Sequence, residues 1–143
     1  MRKQILFVDD EPTILQGLRR MLRGMRDEWD MEFSQGGREA LEIMTKKSFD
    51  VIVSDMRMPE MDGGQLLSKV KEQYPQTVRI ILSGHSDKEA ILRTVKPAHQ
   101  YLSKPCDADI VKATISRSCA LRVFLAQDDL KQLVSQMESL PAL

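Results

Sequence analysis

The sequence predicts a parallel α/β domain in which five strands alternate with five helices, and three observations carry that reading. The runs 4–8 (QILFV), 50–55 (DVIVSD) and 78–84 (VRIILSG) are short and apolar at nearly every position, as strands buried on both faces are. The segments between them place apolar residues at helical spacing. The connections are short, so strand and helix alternate along the chain, the order from which a parallel sheet is built.

The elements follow in order. After the strand at 4–8, Pro12 suits a first helical turn, and Ile14, Leu15, Leu18, Met21 and Leu22 recur at helical spacing. Residues 31–34 (MEFS) make a weaker strand, and 37–47 a helix carrying Ala40, Leu41, Ile43 and Met44. The strand at 50–55 leads into a turn, MPEMDGG, and a helix from Gln65 to Tyr74 that stops at Pro75. After the strand at 78–84, Ser86 with Glu89 three residues on marks a helix start over 86–95. Residues 99–105 (HQYLSKP) form the last strand, and the pattern is helical again from Asp107.

The tail departs from this alternation. Residues 107–140 read as one long helix or two joined ones, and 119–126 (CALRVFLA) is apolar around most of its circumference. Leu130, Leu133, Val134, Met137 and Leu140 then form an apolar stripe. Such an extension implies a partner: a second subunit, making the chain a homodimer, or an output domain or effector. The expected division is 1–122 for the domain and 123–143 for a helical extension.

Bulk properties narrow the function. The 143 residues suit one domain, and 42% hydrophobic with 29% charged residues is ordinary for a globular chain. Lys plus Arg (21) equals Asp plus Glu (21), which argues against non-specific binding to nucleic acid. No apolar run approaches the ~20 residues of a membrane span, and the N-terminus runs straight into acids, unlike a signal peptide, so a cytoplasmic location is expected. Cys106 and Cys119 share no metal or redox spacing and read as reduced thiols. Trp29 reads as a satellite packing residue and His99 as structural.

The acids at the strand ends carry the chemistry. Asp9 and Asp10 end the first strand and Asp55 ends the third. In a parallel sheet the carboxyl ends of the strands share one edge, where ligands bind. Carboxylates brought together there repel one another unless a cation neutralises them. An all-oxygen donor set suits Mg²⁺ or Mn²⁺. Ser83 and Lys104 end the last two strands and offer a hydroxyl and a point charge for a phosphate oxygen.

Together "VDDEP", "SDMRMPEMDG", "LSG" and "YLSKP", in this order, resemble the receiver domain of bacterial two-component response regulators, over about residues 3–122. The resemblance implies a flavodoxin-like doubly wound fold with strand order 2-1-3-4-5. It implies Asp55 as phosphoacceptor. Mg²⁺ would be held by Asp10, Asp55 and the backbone carbonyl of Arg57, with Asp9 acting through water. Lys104 and Ser83 would bind the phosphoryl group, with Ser83 as the switch hydroxyl and Tyr101 as the switch aromatic. Pro105 matches a proline preceded by a cis bond. Arg57 and His85, each two residues beyond a site residue, border the water path and are candidates for setting phosphoryl lifetime.

The implied function is a signalling module, not an enzyme acting on external substrates. It takes a phosphoryl group from a sensor histidine kinase or phosphotransfer protein. A Mg²⁺-dependent phosphotransferase or phosphatase working through an aspartyl phosphate is the alternative, weakened by the lack of a cap domain and of further catalytic acids. A scaffold that is never phosphorylated should have lost one of Asp10, Asp55 or Lys104, and all three are present. The final "LVSQMESLPAL" resembles the lead-in to HDOD-type output domains, which would make the chain the front part of a longer regulator. Nothing resembles a DNA-binding helix-turn-helix.

Overall fold

Strands β1 (Lys3–Val8), β2 (Trp29–Ser34), β3 (Val51–Asp55), β4 (Val78–Ser83) and β5 (Gln100–Ser103) form one sheet in the order β2-β1-β3-β4-β5. Every adjacent pair is parallel. This is the flavodoxin-like order expected. The structure is a computed structural model that describes residues 2–83, 100–103 and 108–126. The helix expected over 86–95 and the stripe from Leu130 to Leu140 lie outside those residues. The described helices are α1 (Pro12–Met21), α2 (Gly37–Lys46), α3 (Gly63–Gln73) and α4 (Ala108–Ala126).

Alternation along the strands sorts the core into two layers. Ile5, Phe7, Val51, Val53, Val78, Ile80 and Leu82 point to one side, where Leu15 and Leu18 of α1 and Val111 and Ile115 of α4 close over them. Leu6, Val8, Ile52 and Ile81 point to the other, under Ala40 and Met44 of α2 and Leu66, Leu67 and Val70 of α3. Burial on both faces explains why the central strands read as unbroken apolar runs.

Several boundaries move. β2 begins at Trp29 rather than 31, and Trp29, expected as a satellite, is 4% exposed within the main core. A 3-10 turn, Arg23–Met25, joins α1 to β2. Helix α3 begins at Gly63, two residues early, because Asp62 caps it. The Asp62 carboxylate accepts from Gln65 N (2.8 Å), and the Gln65 side chain accepts from Asp62 N (3.0 Å). Asp50 stands just before β3, and its carboxylate accepts from Gln4 N at 2.8 Å. Cys119 is buried in the core.

Candidate metal centre and phosphoacceptor site

Register brings the acids together. β1 lies between β2 and β3, with Val8 beside both Ser34 and Ser54. The residues that follow, Asp9 and Asp55, therefore emerge side by side at the carboxyl edge. One carboxylate oxygen from each of Asp9, Asp10 and Asp55 fits within a group 4.8 Å across. Asp9 and Asp55 are buried, whereas Asp10 reaches solvent.

Local backbone geometry fixes this cluster. Asp9 N donates to Ser34 O (3.0 Å), extending the sheet pairing one residue beyond β1. The Asp9 Oδ1 accepts from Glu11 N at 2.9 Å, a short turn that holds the carboxylate as the chain swings into α1. Pro12 then starts that helix.

Across the site, the loop from Met56 to Asp62 is tied at both ends. Gly63 N donates to Met56 O (2.8 Å), and the Ser54 hydroxyl donates to Asp55 O (2.9 Å). Glu60 adopts φ 66°, a left-handed conformation uncommon for a residue with a side chain. Gly63 passes so close to the end of β3 that a Cβ there would run into the Asp55 carbonyl oxygen. Gly63, in the expected turn MPEMDGG, is thus also a position of close backbone approach.

The cluster fits a hard divalent cation. Three negative charges at this spacing repel by roughly 3–4 kcal/mol per pair at an effective dielectric near 20. All three donors are carboxylate oxygens, and the exposed side of Asp10 leaves room for water ligands. Arg57 lies two residues past Asp55 with an exposed side chain. Beside Asp10 opens a groove of about 650 Å³ between the Gln35–Glu39 segment and Pro59–Met61.

The other expected site residues are placed less fully. Ser83 is the last residue of β4, one position beyond the Asp55–Leu82 pair. Tyr101 pairs with Ile81, and Ser83 with Ser103. Lys104, Pro105 and His85 lie outside the described residues.

The family model for the response regulator receiver domain matches residues 5–116, which takes in the acids, the loop and the described strands except the first two residues of β1. The chain belongs to this family. The receiver is 38% identical to the transcriptional regulator NtrC of Klebsiella pneumoniae over 112 residues, covering 78% of this chain and 24% of NtrC. It is 34% identical over 117 residues to the regulatory protein ZraR of Escherichia coli K12, covering 81% of this chain and 26% of ZraR. The chain thus spans about a quarter of these relatives. Among solved structures, the receiver of an HD domain-containing protein from Pseudomonas fluorescens superposes with a TM-score of 0.79 at 30% identity, covering 85% of this chain and 98% of that one. A receiver domain protein from Clostridium thermocellum gives 0.76 at 34%, covering 86% and 98%. Among the described residues, no helix is long and apolar enough to cross a membrane.

Proposed function

We propose that this receiver accepts a phosphoryl group on Asp55 and passes the change on through its last helix. The convergence of Asp9, Asp10 and Asp55 within 4.8 Å at the carboxyl edge of the sheet carries the reading. Asp10 and Asp55, with the Arg57 carbonyl, would hold Mg²⁺ or Mn²⁺, and Asp9 would reach it through water. When bound, the ion offsets the charge of the three carboxylates and of the incoming phosphoryl oxygens.

The chain's own groups do the rest. A carboxylate oxygen of Asp55 attacks phosphorus in line, an O–P bond forms, and the N–P bond of a phosphohistidine on the kinase or phosphotransfer protein breaks. The departing imidazole keeps the bonding pair and takes a proton from water. Asp55 is buried and its backbone is held by pairing with Leu82 of β4, so positioning would supply much of the effect. Lys104 would pair with a phosphoryl oxygen. Ser83 would hydrogen-bond another and, with Tyr101, shift the β4–β5 surface between two states. Arg57 and His85 would border the attacking water and set the lifetime of the acyl phosphate. The receiver is assigned to 1–122, with residues 123–143 leading toward an output domain or effector. Helix α4 runs unbroken across that boundary to Ala126 and so provides a stiff mechanical link.

Incubation with acetyl phosphate and Mg²⁺, followed by intact mass, tests the assignment. The wild type should gain one phosphoryl group and Asp55→Asn none. A phosphorylated Asp55→Asn protein would overturn it.

A further inference from the structure

A second polar site runs along edge strand β2, from Trp29 at its start to Phe33 near its end. Arg2, Arg19, Arg23 and Arg26 line a groove of about 470 Å³ together with Trp29, Met31 and Phe33. The four arginines come from three places, the N-terminus, α1 and the turn before β2, yet they face one hollow. Asp30 is the one acid lining it, and its Oδ2 is 2.7 Å from Lys47 Nζ. Among the described residues no carboxylate forms an ion pair with any of the four guanidinium groups. A chain of zero net charge has therefore gathered local positive charge in a concave surface.

The floor of the groove has a direction. Phe7 and Phe33 are stacked, with centroids 5.2 Å apart and planes 13° from parallel. The Arg19 guanidinium lies over Phe33 at 4.4 Å from the centroid. Phe7, Phe33 and Arg19 thus form three layers, and the exposed Arg19 is the outermost. A guanidinium plane takes a further flat ring on its free face. Arg23 and Arg26, from the 3-10 turn after α1 and its end, line the same groove, and guanidinium groups take phosphate oxygens in a forked geometry.

We propose that this groove binds a nucleotide carrying at least two phosphate groups, with its base on Arg19 and its phosphates against Arg23 and Arg26. The volume falls within the ordinary range for small-ligand sites, about 300–1,000 Å³. The concave shape and the stacked floor favour a compact ligand over an extended nucleic acid or a membrane surface. The site shares no residue with the acid cluster, so it stands whether or not Asp55 is phosphorylated.

Trp29 lines the groove and is the only tryptophan, so its fluorescence reports occupancy directly. The full chain is titrated with ATP, GTP and inorganic tripolyphosphate in EDTA, which removes any metal-bridged binding at the acid cluster. Both nucleotides, or one of them, should bind more tightly than tripolyphosphate, with affinity falling as KCl rises. Arg19→Gln with Arg23→Gln should weaken binding at least about tenfold, whereas Lys71→Gln on α3 should leave it unchanged. Circular dichroism confirms that the double variant is folded, and Arg26→Gln alone provides a milder second variant. No nucleotide binding at millimolar concentration overturns the proposal. So does tripolyphosphate binding as well as nucleotide, or an oligonucleotide or poly-glutamate peptide binding through the same arginines in preference to both.

Discussion

Replacing Gly63 with alanine should both loosen the fold and disturb the acid cluster. An ideal Cβ at this position would enter the envelope of the Asp55 carbonyl oxygen and sit 3.0 Å from Met56 Cα and 3.1 Å from the Asp55 carbonyl carbon. All three are backbone atoms, so no side chain can rotate out of the way. Either β3 or the start of α3 must move, and the 2.8 Å bond from Gly63 N to Met56 O stretches with it. Overpacking of this kind costs about 1–3 kcal/mol. For a chain of this length that lowers Tm by about 4 °C per kcal/mol. Gly17 supplies the control: it is exposed in α1, and nothing lies within 4 Å of its would-be Cβ. Gly17→Ala should therefore raise stability by about 0.5–1 kcal/mol through lower backbone entropy in the unfolded chain. Urea unfolding followed by fluorescence of buried Trp29 measures both variants. Acetyl-phosphate labelling measures the second effect, since moving the Asp55 backbone should slow phosphorylation of Gly63→Ala but not of Gly17→Ala. A Gly63→Ala protein with wild-type stability and labelling rate would refute the claim that close approach at Gly63 fixes the site.

Other outcomes follow from the same geometry. Asp10→Asn should weaken Mg²⁺ binding by calorimetry more than Arg57→Ala, whose expected contribution is a backbone carbonyl; equal affinities for wild type and Asp10→Asn would contradict the metal assignment. Lys47 contacts Asp30 at 2.7 Å and Glu32 at 3.2 Å. The hydrogen bond to Lys47 holds the Asp30 carboxyl below its ordinary value, and the same bond raises the Lys47 ammonium. The depressed Asp30 stabilises the fold above its unfolded pKa of about 3.9, and this fades as pH falls through the folded value. The raised Lys47 stabilises below about 10.4, and this fades as pH climbs through its folded value. Lys47→Met should cost at most about 1 kcal/mol at pH 7, because the groups are partly solvated. Lys47 Nζ also lies 5.7 Å from the Phe49 ring centroid, so urea midpoints should show a smaller cost at pH 3, and a cost independent of pH would mean that packing on Phe49, not charge, is lost. Phe124→Glu with Leu133→Glu should convert a sedimenting dimer into a folded monomer, and a wild type that is already monomeric would remove the tail as a dimer surface.

How well the sequence disclosed each element depended on how symmetrically that element is buried. β1, β3 and β4 are covered on both faces, so continuous apolar runs located each within one residue. β2 is an edge strand, with Asp30, Met31, Glu32 and Phe33 all half-buried, and its first two residues follow Asp27 and Glu28 in a charged stretch that reads as loop. The burial of Trp29 comes from the core that includes α1, a tertiary fact with no local signature. The early start of α3 did have one. Asp62 followed by Gln65 is a capping-box pattern, but the intervening Gly63 and Gly64 outweighed it as turn signals.

The acids were individually visible, because an apolar run that ends in charge is a local pattern. Their convergence was not, since it requires β1 and β3 to be neighbours although 42 residues separate Val8 from the start of β3 at Val51. Only the family resemblance supplied that adjacency. Once the strands are adjacent, the alternating core pins the register. Leu6 and Val8 must face α2 and α3 while Ile5 and Phe7 face α1 and α4, and the paired residues of β3 obey the same division. A slip of one residue would turn each β3 side chain to the opposite layer and carry Asp55 away from Asp9. The apolar residues that look purely structural are thus what hold the carboxylates within 4.8 Å of one another. A β3 core substitution such as Val53→Thr, by weakening that division, acts on the site without touching it.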